Sequence, residues 1–147
     1  MDRANVGDVL AASGLDFPEE RRRAGLAQPD ALAILLLRGG KLAGYVHLAR
    51  DWNDPADLYV ASLQLAAPYR GTTAFALLLA ATVEAAREIP FRRITSSIQP
   101  ANAPMLALAR RLGLTLTPDA ARPSIHVTAE REWLDSPALR RLARRYG

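Results

Sequence analysis

The spacing of apolar and polar positions divides this chain into short strands and a few helices. Residues 33–37 form a continuous apolar run, and Gly39-Gly40 behind it suits a hairpin turn. Residues 42–49 alternate, with Leu42, Val46 and Leu48 on one face and Tyr45 and His47 on the other. A polar loop rich in turn formers covers 50–57, and 58–65 read as a third strand. Its alternation predicts Tyr59, Ala61, Leu63 and Leu65 on one face, opposite Ser62 and Gln64. Residues 72–88 are apolar almost all round, the pattern of a deeply packed helix, and Pro90 stops it. Strand character returns over 92–98. Asn102 then stands where it would cap a helix carrying Met105, Leu108, Ala109 and Leu112 at i, i+3, i+4 and i+7, which Gly113 closes. Residues 114–117 and 124–129 read as two more strands. Asp135-Ser136-Pro137 opens a last helix with the stripe Leu139, Leu142, Ala143 and Tyr146. Residues 1–30 read as helical and loosely amphipathic, a second short helix starting at Pro18-Glu19-Glu20.

The predicted order is helices, then β-β-β-α-β-α-β-β, then a helix. That is an α/β sandwich, a mixed and mostly antiparallel sheet flanked by helices, with an extra C-terminal helix. The 147 residues are expected to form one domain, 1–147, with its core over about 31–130. No apolar run approaches the roughly 20 residues of a membrane span, and no secretory signal is visible, so a cytoplasmic protein is expected. The absence of cysteine excludes disulfides, a thiolate nucleophile and a cysteine zinc site. The two histidines and scattered aspartates show no metal-ligand spacing, and no metal is expected.

The net charge of +4 invites a nucleic-acid reading. Lys41 is the only lysine, however, and alanine and leucine abound, so the arginine excess reads as compositional bias. Much of it lies at Arg21–Arg23, Arg110-Arg111 and Arg140, Arg141, Arg144 and Arg145. No aromatic interleaving accompanies the last group, which could grip phosphates or an acidic partner but reads first as a solvated face. No nucleic-acid or membrane partner is expected, and the apolar stripe beside those arginines would suit a homodimer.

The chemistry concentrates where the third strand meets its helix: Tyr69-Arg70-Gly71-Thr72-Thr73-Ala74-Phe75. Small and hydroxylated residues there leave backbone N–H groups pointing at solvent, a metal-free way to hold a phosphate. Further on, Asn102-Ala103-Pro104-Met105 leads into Leu108-Ala109-Arg110-Arg111-Leu112-Gly113-Leu114. Together these stretches resemble the GNAT (Gcn-related N-acetyltransferase) superfamily over roughly 31–130. Residues 94–116 look closest to the acetyltransferase domain of bacterial protein-lysine acetyltransferases. The resemblance implies a loop of the form Gln/Arg-x-x-Gly-x-Gly/Ala whose amides bind the pyrophosphate of acetyl-CoA or another acyl-CoA. Arg70 and Gly71 match its start, but Thr73 and Phe75 replace small residues; shifting by one places Ala74 last and Tyr69 first. By the same resemblance Arg70, Gly71, Thr72, Thr73 and Ala74 bind the cofactor. Backbone at Leu65, Ala66 and Ala67 polarises the thioester, and Asn102 either meets the pantetheine arm or simply caps its helix.

The resemblance implies acyl transfer to an amine of a small molecule or a protein lysine. A free alkylamine is almost wholly protonated at neutral pH, so a base is needed. The third strand has no Glu. Asp57 at its start, backed by Asp54 and Asp51, is the carboxylate candidate, and His47 is the imidazole candidate. Each also has a plain reading, as turn residues and as a packed strand histidine. The alternative is a GNAT-fold protein without catalysis that serves as a binding or regulatory module, its cofactor loop plugged by Phe75.

Overall fold

The computed structural model describes residues 31–70 and 73–146, apart from the side chains of 143, 145 and 146. The helices expected within 1–30, and Gly71 and Thr72, lie outside the described residues. β1 (Leu32–Arg38) and β2 (Lys41–Arg50) form an antiparallel hairpin. Its two loop residues, Gly39 and Gly40, have φ of 56° and 74°, which a type I′ turn demands of both positions. β3 (Leu58–Leu65) pairs antiparallel with β2. A 3₁₀ turn (Ala67–Tyr69) then leads to α1 (Ala74–Arg87). β4 (Arg93–Ile98), α2 (Ala103–Arg111), β5 (Thr115–Pro118) and β6 (Ile125–Glu130) follow, and a second 3₁₀ segment (Arg131–Asp135) precedes α3 (Pro137–Tyr146). The six strands lie in the order β1-β2-β3-β4-β6-β5, antiparallel except where β3 meets β4. This is the mixed α/β sandwich that the periodicity predicts.

One register differs from the alternation. His47 pairs with Ser62 but Leu48 pairs with Val60, so Ala61 is an extra residue, a β-bulge. The bulge rephases the strand: Leu58 and Val60 join Leu63 and Leu65 on the face that packs under α1. Tyr59 goes to the other side with Ser62 and Gln64, against the expectation from simple alternation. The core under α1 joins Val46, Leu48, Leu58 and Leu65 of the sheet to Ala74, Leu78 and Ala86 of the helix. Gly44 of β2 lies beneath this contact, and a Cβ there would stand 2.7 Å from both the Gln64 carbonyl oxygen and Leu65 Cδ2. A second cluster, Leu79, Leu112 and Leu139, ties α1 to α2 and α3.

α2 starts as expected: the Asn102 side chain accepts from the Met105 N–H at 3.4 Å. Its buried residues are Leu106 and Ala109, followed by Leu112, while Met105 and Leu108 are half-buried. The buried stripe is thus rotated from the expected one. Gly113, at φ 75°, closes the helix. Among the described residues no helix is long and apolar enough to cross a membrane.

Candidate acyl-CoA site

β3 and β4 run parallel but pair only at Leu58–Ile94 and Tyr59–Thr95, one further link being Ser96 Oγ donating to the Val60 carbonyl at 2.8 Å. Beyond it the ladder stops. The C-terminal half of β3 keeps β2 on one side and faces an opening on the other. The Ala66 N–H donates to the Ala43 carbonyl at 2.8 Å, so it belongs to the β2 ladder. Since successive residues of a strand alternate, Leu65 and Leu63 turn their backbone groups toward the opening. Of the three residues expected to polarise a thioester, Leu65 therefore faces the gap while the Ala66 amide is committed elsewhere.

α1 starts at the head of this opening. Thr73 stands at its N-cap, exposed, with a hydroxyl that makes no capping hydrogen bond, and no acidic residue occupies the first turn. Arg70 is exposed and folds back so that its Nε donates to the Leu65 carbonyl at 3.3 Å, which leaves its terminal nitrogens at the strand end. Ala74 is buried. Phe75 packs against both hydrophobic clusters, so its ring is turned into the protein. The turn after β4 closes the other side. There Gln99 Oε1 is buried and accepts no hydrogen bond among the described residues, and Asn102 spends its side-chain oxygen on the cap.

The sheet face opposite α1 carries Tyr45, His47, Tyr59, Ser62 and Gln64. His47 is only 4% exposed and sits across from Ser62, beside the bulge. Gln64 Nε2 donates to Ser62 Oγ at 3.1 Å. Alternation places Tyr45 and His47, and Ser62 and Gln64, on polar faces; the pairing of His47 with Ser62 and of Tyr45 with Gln64 makes these one face, to which the bulge adds Tyr59.

Asp57 lies at the other end of β3, roughly 25 Å of strand from Leu65. It is 1% exposed. Arg93 Nη2 meets it at 2.8 Å and Arg92 Nε at 3.1 Å. Burial pushes its carboxyl up, but hydrogen bonds from Arg93 and then Arg92, with their charges, outweigh burial and hold it below the usual carboxylate value. A carboxylate so placed and so stabilised as an anion is a poor base for an amine at the opening. It ties the starts of β3 and β4 together instead. Asp54 joins it by accepting from Arg92 Nη2 at 2.5 Å and from the Ala56 N–H at 3.0 Å. Asp51 accepts from Thr95 Oγ1 and from the Asn53 N–H. All three aspartates of the loop have structural partners.

Residues 8–114 match the acetyltransferase (GNAT) family, most of the chain's length. The chain belongs to the GNAT acetyltransferase family. Solved GNAT structures share its fold. An acetyltransferase from Thermus thermophilus is 17% identical, with TM-score 0.66 over 84% of this chain and 82% of its own. The PaiA N-acetyltransferase of Thermoplasma acidophilum, solved in complex with coenzyme A, is 11% identical with TM-score 0.63, over 77% and 71%. The ribosomal-protein-S18-alanine N-acetyltransferase of Escherichia coli is 13% identical with TM-score 0.60, over 78% and 76%. No curated protein sequence matches the chain. The GNAT family uses acyl-CoA, and the residues at the opening fit such a molecule: backbone turned to a gap, a helix start clear of acids, an inward Phe75 and an orphaned Gln99 oxygen.

Proposed function

We propose that this protein transfers an acetyl group from acetyl-CoA to a primary amine, carried by a small molecule or by a protein lysine. The observation that carries the reading is the opening of β3 from β4 beyond Tyr59–Thr95, headed by the start of α1 with Phe75 turned inward. Acyl-CoA supplies a thioester-activated acyl group. In this reading Arg70, Gly71, Thr72, Thr73 and Ala74 hold its pyrophosphate, and amides of β3 near Leu63 and Leu65 stabilise developing negative charge on the carbonyl oxygen. Gln99 Oε1 and Asn102 border the pantetheine path.

His47 is the group proposed to take the proton from the acceptor amine, directly or through water. It lies on the polar sheet face beside the bulge, whereas Asp57 is held in its arginine pairs. The test is acetyl-CoA binding by calorimetry, followed by thiol release against a panel of small amines, polyamines and lysine peptides. Micromolar binding with amine-dependent release supports the transferase. Binding without release from any acceptor favours the non-catalytic module, and no binding removes the reading. For His47→Gln, kcat is expected to fall about 100-fold with acetyl-CoA affinity unchanged. An unchanged kcat would eliminate His47 as the base.

A further inference from the structure

We infer that the arginines of α3 bind the phosphate that coenzyme A carries on its ribose, making the terminal helix part of the cofactor site. The inference rests on the reading that acyl-CoA is held at the start of α1. α3 begins beside the end of α1, where Arg87 donates to the Asp135 carboxylate at 2.9 Å and to the Leu134 carbonyl at 3.0 Å. It then returns along α1: a shallow groove between them is lined by Ala76, Ala80 and Glu84 on one side and Leu139, Arg140 and Leu142 on the other. The two helices are therefore antiparallel. Each further residue brings α3 about 1.5 Å closer to Thr73, so that Arg144 stands about 13 Å along from Asp135, near the level of the first turns of α1.

The side chains point the same way. Arg140 lines the groove and so lies on the flank facing α1. Arg144, four residues on, stands above it on that flank. Both are exposed, and neither makes an ion pair among the described residues, in contrast to Arg87, Arg92 and Arg93. Like charges at i, i+4 repel; α3 and the first turn of α1 contain no carboxylate, and Glu84 across the groove is engaged by Arg87 at 3.5 Å. Buried Leu139 fixes the helix against Leu79 and Leu112, which holds the arginine flank in place. With Arg70 at the end of β3, this row directs further positive charge toward the start of α1. Coenzyme A carries a pyrophosphate, which the helix start and Arg70 suit, and a separate ribose phosphate monoester. A planar guanidinium fork matches the oxygens of such a monoester.

The experiment is calorimetry of the full chain with coenzyme A and with 3′-dephospho-coenzyme A. The unaltered protein is expected to prefer coenzyme A by about five- to tenfold. Arg140→Gln/Arg144→Gln is expected to bring that ratio to about one while its affinity for the dephospho form stays unchanged. Equal binding of the two ligands by the unaltered protein, or an undiminished ratio in the variant, overturns the inference and leaves the transferase reading standing. Binding of neither ligand by the unaltered protein removes both.

Discussion

Single residues lock the sheet where it is closed. Asp57 is a buried carboxylate with two arginines, and its folded-state value lies below the ordinary one, so the folded protein favours the anion. The sign follows: this stabilisation is fully present above the ordinary carboxylate value and is lost as pH falls through the lowered one. Asp57→Asn is expected to cost about 1–3 kcal/mol in urea unfolding at pH 7, because both guanidiniums lose a charged acceptor. It should also flatten the loss of stability below about pH 4. Identical acid limbs for the two proteins would show that the pair contributes nothing to folding. Gly44 acts by size. An added methyl meets the Gln64 carbonyl, which cannot yield without moving the end of β3. Gly44→Ala should therefore cost about 1–3 kcal/mol and weaken acetyl-CoA binding, measurable by thermal melts and titration.

At the level of elements, the orientation of α1 bears on the proposed acyl-CoA site. Leu77, Ala80 and Ala81 face outward, while Phe75, Leu78 and Leu79 face the two clusters and Thr82 is buried. Phe75→Ala is expected to lose about 2–3 kcal/mol of stability without tightening acetyl-CoA binding, since the ring packs inward. Tighter binding by a stable variant would restore the plugged-loop reading. The strands and helices were legible in the sequence because alternation, the Gly39-Gly40 pair, Asn102 and Gly113 are local signals. The site was legible only as a junction. The bulge at Ala61 has no compositional mark, so alternation alone puts Tyr59 on the wrong face, while the facing of His47 by Ser62 depends on a strand register that no local signal carries. Asp57 reads as a base candidate in the sequence because the arginines that hold it arrive some 35 residues later in the chain. On a helix apolar all round, periodicity does not fix which way Phe75 turns; the two clusters it packs against do.

Across the whole molecule, the two halves of the sheet are laced together at one end and separate at the other. β1 to β3 with α1 meet β4 to β6 with α2 through two residue pairs, the Ser96–Val60 hydrogen bond, the Asp57 cluster and, around the same end, the bonds from Thr95 to Asp51, from Arg50 to the Pro90 carbonyl and from the Arg92 N–H to the Ala56 carbonyl. The helical layer adds links away from the opening: Trp133 Nε1 donates to the Leu112 carbonyl at 2.7 Å, and Arg131 Nη1 to the Ile89 carbonyl at 2.7 Å. A ligand seated between β3 and β4 would bridge halves that the protein itself leaves apart there. Saturating acetyl-CoA, at about 100 times its dissociation constant, should then add about 2.7 kcal/mol and raise the melting temperature by about 5–10 °C. Hydrogen exchange locates the effect. The Leu63 amide, turned to the opening, should gain protection with acetyl-CoA, whereas Leu58 and Tyr59, where β3 already pairs with β4, should change little. Uniform protection along β3 would mean that the ligand stabilises the fold from elsewhere, and the opening would not be the acyl-CoA site.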